Sequence, residues 1–125
     1  MGQPVVHFEI VGKDGDGLRT FYADLFDWQI DANNPTHYGI VPREGNLSPA
    51  GVGIGGGIAE GPQGYAGHVT VYVEVPDVEQ ALARAESLGG ARMMGPEEVM
   101  EGLVIGLLTD PEGHTIGVIQ GTPVG

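Results

Sequence analysis

The chain has 125 residues, 41% of them hydrophobic, and no apolar run long enough to span a bilayer, so a single soluble domain in the cytoplasm is expected. Seventeen acidic residues against five basic ones give a net charge of −12, which opposes phosphate backbones and anionic lipids and argues against nucleic-acid or membrane partners. Cysteine is absent, which excludes disulfides and thiolate chemistry and leaves any metal to histidine, carboxylate or water.

Met1-Gly2-Gln3-Pro4 offers no basic region followed by an apolar stretch, so no secretory signal is expected, and the first element is a strand over Val5–Val11. Its alternation places Val6, Phe8 and Ile10 on a packing face and His7, Glu9 and Val11 on the other. Gly12-Lys13-Asp14-Gly15-Asp16-Gly17 reads as a turn, after which Leu18, Phe21, Tyr22, Leu25 and Phe26 recur at helical spacing and predict an amphipathic helix covering the Phe8 face. Short strands are expected at Trp28–Ile30, Thr36–Val41 and Gly51–Ile58, separated by Asn-, Pro- and Gly-rich segments.

A second strand–helix pair follows. Val69, Val71, Val73 and Val75 form one face of a strand, and His68, Thr70, Tyr72 and Glu74 form the other. Asp77 is a natural N-cap for a helix whose stripe is Val78, Ala81, Leu82, Ala85 and Leu88, stopped by Gly89-Gly90. Strands are expected at Ala91–Met94, Leu103–Leu108 and His114–Gln120, the last two joined by the turn Asp110-Pro111-Glu112-Gly113. The two halves thus repeat one order: strand, helix, three strands. A half of about sixty residues rarely stabilises itself, so the repeats are expected to share a core.

The opening His7-Phe8-Glu9-Ile10, Phe21-Tyr22 with Leu25-Phe26-Asp27-Trp28, Val75-Pro76-Asp77-Val78, Leu88-Gly89-Gly90 and Asp110-Pro111-Glu112-Gly113-His114 resemble the vicinal-oxygen-chelate (VOC) superfamily of glyoxalases, bleomycin-resistance proteins and extradiol dioxygenases. The resemblance covers nearly the whole chain. It departs at Asp27, where glycine is usual, and at His114, where asparagine is usual; both residues are compatible with turns. It implies an α+β fold: two tandem βαβββ modules, about residues 4–60 and 66–121 of one domain spanning 1–125, forming a curled, cup-shaped mixed sheet with helices on the outer face. It also implies a homodimer.

Metal-dependent members hold a divalent cation at four cup-facing positions, and the resemblance places these on this chain. His7 lies fourteen residues before Phe21 and fits the first. The second falls among the glycines of Gly53–Ile58, with Gly55 taken as lining the cup. The third is Thr70, with His68 about 7 Å further along the same face, and the fourth is Gly117. Two donorless positions imply that the standard site is dismantled, so no cofactor is expected. The alternative is a non-standard site for Ni, Zn, Mn or Fe built from His7, Glu9, His68 and Glu74, which share the cup-facing parity. The same residues admit plainer roles, with His7 a hydrogen-bonded cavity histidine and the two glutamates paired with Arg19, Arg84 or Arg92 or acting as bases if buried.

Trp28, His37, Tyr38 and Tyr72 are candidate aromatic walls for a planar ligand. Gly51-Val52-Gly53-Ile54-Gly55-Gly56 matches G-x-G-x-x-G, but no helix follows, so the glycines are better explained by a close approach of ligand or chain to the backbone. No G-x-S-x-G elbow is present. The expected function is metal-independent binding or sequestration of a small molecule in a cup lined by His7, Glu9, Trp28, Tyr38, Gly55, His68, Thr70, Tyr72, Glu74 and Gly117. An amine-bearing ligand would suit the two glutamates. The alternative is a metal-dependent lyase or dioxygenase resembling glyoxalase I, with His7 as a ligand.

Overall fold

A computed structural model describes residues 2–121; the outermost positions of the expected domain, residue 1 and residues 122–125, lie outside them. Seven strands and two helices are found among the described residues: β1 (Val5–Gly12), α1 (Gly15–Phe26), β2 (Gly39–Val41), β3 (Gly55–Glu60), β4 (His68–Glu74), α2 (Val78–Ser87), β5 (Ala91–Met100), β6 (Leu103–Thr109) and β7 (Thr115–Gln120). This is the expected mixed α+β fold. The chain forms two compact units that divide β1 and β4 between them, one of His7–Val69 and one of residues 2–6 with 70–121.

In the His7–Val69 unit, β3 pairs parallel with β1, setting His7 opposite Gly55 and Glu9 opposite Gly57. Strand β2 then pairs antiparallel with β3. Helix α1 starts at Gly15, earlier than its apolar periodicity suggests, because Asp14 caps it: the Asp14 carboxylate accepts from the Gly17 N–H at 3.0 Å, and a β-carbon on Gly17 would collide with that carboxylate. The helix ends at Asp27, which adopts the left-handed φ of 59° that glycine usually serves. Its apolar stripe is only partly used. Tyr22 stacks on Phe26 and Trp28, and Trp28 stacks on Phe8, but Phe21, Leu25 and Phe26 are each more than half exposed.

The segment after α1 departs from expectation. Trp28–Ile30 forms no strand, and Asp31 makes a single bridge to Ile40. On the far side of that bridge Asn34 ends the pairing. Its side-chain oxygen accepts from the Tyr38 N–H at 2.8 Å and its amide donates to the Tyr38 carbonyl at 2.7 Å, so a side chain satisfies the backbone that a ladder would otherwise pair. His37 turns through a left-handed φ of 54°, which shortens the expected Thr36–Val41 strand to Gly39–Val41.

In the other unit, β7 pairs parallel with β4 and antiparallel with β6, which pairs antiparallel with β5. Helix α2 begins where its cap predicts, with the Asp77 carboxylate accepting from the Gln80 N–H at 2.9 Å. It buries Val78 and Leu82 completely against Val75 and Val118, while Leu88 lies past its end and is exposed. Strand β5 continues through Gly95-Pro96 to Met100, further than the expected Met94. The interruption is absorbed by register shifts against β6 and by a left-handed Gly95 whose φ is 98°.

Candidate functional site

The polar residues of β1 build the most connected cluster, all of it within the His7–Val69 unit. Strand alternation turns His7 and Glu9 to the face opposite Phe8, and the parallel register sets the small residues Gly55 and Gly57 beside them. Tyr38, held at both its N–H and its carbonyl by Asn34, lays its ring over Gly57, where any β-carbon would collide with it. The Tyr38 hydroxyl donates to Glu9 Oε2 at 3.0 Å and lies 3.0 Å from His7 Nε2. On the other side of the carboxylate, Glu9 Oε1 lies 3.2 Å from His68 Nε2, and His68 Nδ1 lies 2.5 Å from the Tyr65 hydroxyl.

The chemistry of the groups orients this chain of protons. An ionised carboxylate only accepts, so Tyr38 and His68 Nε2 both donate to Glu9. With its O–H directed at Glu9, the Tyr38 oxygen is left to accept from His7 in the tautomer protonated on Nε2. In the tautomer that carries its proton on Nε2, His68 turns the lone pair of Nδ1 to the Tyr65 hydroxyl, which donates to it. Glu9 is thus the centre of the cluster, engaged on both oxygens. His7 is buried, and burial lowers its pKa below the ordinary imidazole value, with the Glu9 charge opposing that shift, which suits a neutral ring. The side chains of His68 and Glu9 retain 9% and 14% exposure, leaving the carboxylate and its imidazole close to solvent but largely enclosed.

The other expected site residues fall elsewhere. Trp28 belongs to the aromatic stack with Phe8, Tyr22 and Phe26, which does not bring it to His7. Gly55 is buried opposite His7. In the second unit, the Thr70 hydroxyl donates to the Thr115 carbonyl at 2.6 Å, and Glu74 is exposed on its strand. Tyr72 is 3% exposed and packs with Leu103, Leu107 and Ile119, its ring covering Gly117. His37 is exposed in its turn. Glycines expected to open space for a ligand are therefore filled from within: Phe8 lies on Gly56, Tyr38 on Gly57 and Tyr72 on Gly117. A recess of about 430 Å³ is lined by Lys13, Glu60, Gly61, Pro62, Gln63 and Gly64, and none of the expected site residues lines it.

Among the described residues, no group of three or more His, Cys, Asp or Glu side chains is arranged to hold a metal ion. As the donors stand, the Tyr38 oxygen occupies the space between His7 and Glu9. Two residues that build the cluster, Tyr65 and Asn34, are not legible as site residues in the sequence. Both come from loops without periodicity; the available signals are the Gly64-Tyr65-Ala66-Gly67 spacing just before His68 and the position of Asn34 four residues before Tyr38.

Residues 8–119 match the family model described as a glyoxalase-like domain. The chain belongs to that family. It thereby falls within the glyoxalase/bleomycin resistance protein/dioxygenase superfamily. Curated relatives include CFP32 of Mycobacterium bovis, provisionally named a glyoxylase, which is 27% identical over 108 residues, 86% of this chain; the match spans only 41% of that protein's length. Among solved structures, a Streptomyces coelicolor methylmalonyl-CoA epimerase variant bound to 2-nitronate-propionyl-CoA superposes with a TM-score of 0.62 at 16% identity, covering 97% of this chain and 99% of the other. A superfamily member from Vibrio splendidus 12B01 gives 0.60 at 14%, covering 95% and 99%. A homoprotocatechuate 2,3-dioxygenase variant from B. fuscum gives 0.65 at 17%, covering 97% of this chain and 33% of its own. At these identities the likeness is one of fold. No helix among the described residues is long and apolar enough to cross a membrane.

Proposed function

We propose that this glyoxalase-like protein binds a small molecule without a metal, against the polar cluster of His7, Glu9, Tyr38 and His68. The single observation carrying this is the Tyr38 hydroxyl, which bridges His7 and Glu9 while its ring fills the space over Gly57. The protein's own phenol thus fills the space between two of the candidate donors, and the positions that the family resemblance assigns to metal ligands, among Gly53–Ile58 and at Gly117, carry no donor side chains. A His7 whose pKa is lowered by burial and a Glu9 carboxyl engaged on both oxygens suit a neutral or amine-bearing ligand. The net charge of −12 further disfavours polyanions such as CoA esters.

The test is a thermal-shift screen of amine-bearing and aromatic metabolites, run once with chelator and once with added Ni, Zn, Mn or Fe. A metal-independent site gives the same stabilising hits in both series, and these weaken in Glu9→Gln. Hits that appear only with metal would overturn the proposal and point to a lyase or dioxygenase using His7. A homodimer in the cytoplasm completes the proposal. Light scattering in solution checks the dimer, with a monomer mass contradicting it.

A further inference from the structure

We propose that Glu9, His68 and Tyr65 form a nucleophilic triad whose phenolic oxygen accepts an acyl group from small activated esters. The order of atoms is that of an activated nucleophile: a carboxylate at 3.2 Å from one imidazole nitrogen and a hydroxyl at 2.5 Å from the other. Each part is separately fixed. Glu9 is anchored through its second oxygen by Tyr38, which Asn34 and the close seat on Gly57 hold in place. His68 sits at the start of β4, and Tyr65 packs over Gly61, where a β-carbon would crowd its ring. Exposure grades in the right direction: the orienting carboxylate and the base are largely enclosed, while Tyr65 is half-buried.

Tyr65 is set apart from the other tyrosine of the cluster. The Tyr38 oxygen accepts from His7 and its proton goes directly to a carboxylate, so its lone pairs and its base are already committed. The Tyr65 hydroxyl instead faces an imidazole nitrogen, and His68 is its one side-chain hydrogen-bond partner among the described residues. In the acyl-transfer step the Tyr65 oxygen bonds to the ester carbonyl carbon as its proton passes to His68 Nδ1. The ester carbonyl carbon–oxygen bond breaks, and a phenolate leaves with that bond's electron pair. The imidazolium so formed keeps its Nε2–H on Glu9 until its extra proton passes to water. No oxidant, reductant or metal enters the balance.

The experiment uses 4-nitrophenyl acetate in the presence of chelator, following nitrophenolate release and locating the acetyl group by mass spectrometry of proteolytic peptides. Expected is one acetyl group per chain on Tyr65, formed faster than on Tyr22, which lies in the aromatic stack and serves as an internal reference. Tyr65→Phe abolishes that modification. His68→Gln slows it roughly 100-fold and Glu9→Gln roughly tenfold relative to Tyr22, the lower end of what a positioned general base supplies. Glu9 acts as a positioning residue, and this ratio is a readout that a purely structural role would leave unmoved. If His68→Gln fails to fold by circular dichroism, Glu9→Gln carries the test. Acetylation of Tyr65 no faster than Tyr22, or an unchanged ratio in the folded variants, overturns the triad. The outcome is independent of the ligand screen, because the probe is an ester in metal-free buffer.

Discussion

Each unit places a tyrosine over a glycine, and the two obtain different results. In His7–Val69, Tyr38 lies on Gly57 of β3 and delivers its hydroxyl into a polar cluster with His7 and Glu9. In the other unit, Tyr72 lies on Gly117 of β7, and its ring is enclosed by Leu103, Leu107 and Ile119. A missing side chain on the last strand of each repeat makes room for a ring, and the neighbouring side chains decide whether that ring joins an apolar core or a polar cluster. What distinguishes them is the direction of approach. Tyr72 comes from a strand paired with its glycine, whereas Tyr38 arrives from a loop held by Asn34.

The largest effect expected from breaking this comparison is on the core side. Tyr72→Ala should cost about 3 kcal/mol in urea unfolding, because it empties a closed apolar cluster. Gly57→Ala and Gly117→Ala should each cost roughly 1–3 kcal/mol through overpacking against a ring. They should differ in kind. Only Gly57→Ala displaces a ring whose hydroxyl is bonded to Glu9, so only it should also shift the imidazole resonances of His7 and His68 in a proton–nitrogen correlation spectrum. Tyr38→Phe keeps the ring and deletes the hydroxyl, leaving Glu9 one donor short, with an expected loss of about 1 kcal/mol.

His7 sharpens the contrast through pH. Its folded pKa is lowered by burial, so as pH falls below the ordinary value of 6.5 the unfolded chain takes up a proton that the folded chain resists. This contribution to stability is therefore fully present above 6.5 and declines below it, until folded His7 also protonates. Urea midpoints measured from about pH 8 to pH 5 should fall more steeply for the wild type than for His7→Gln. Equal slopes would remove His7 from the explanation. The smallest effect is at Asp27, whose left-handed φ of 59° invites glycine; Asp27→Gly should change stability by less than about 1 kcal/mol and leave the cluster untouched.

The regular parts of the chain are legible in the sequence for a physical reason. The alternation in β1 and β4 and the Asp77 cap of α2 are local patterns, and the observed elements follow them closely. Parity alone places His7 and Glu9 on one face of β1, and the structure joins both to His68 through hydrogen bonds. Features that depend on side chains replacing backbone partners are not legible. Asn34 supplants a ladder after α1, Asp14 extends α1 backwards, and a left-handed Gly95 lets β5 run through a proline. The unfilled part of the α1 stripe teaches the same lesson, since periodicity identifies an apolar face without fixing how much of it finds a partner: Phe21 and Leu25 are each 58% exposed.

The most direct test of a phenol-bridged, metal-independent site is divalent-metal stoichiometry on protein purified without chelator, before and after addition of nickel, zinc, manganese and iron, compared with His7→Ala. Negligible metal in both proteins is the expected result. Near-stoichiometric metal in the wild type that is lost in His7→Ala would contradict it, because a cation would then occupy the place that the Tyr38 hydroxyl fills between His7 and Glu9.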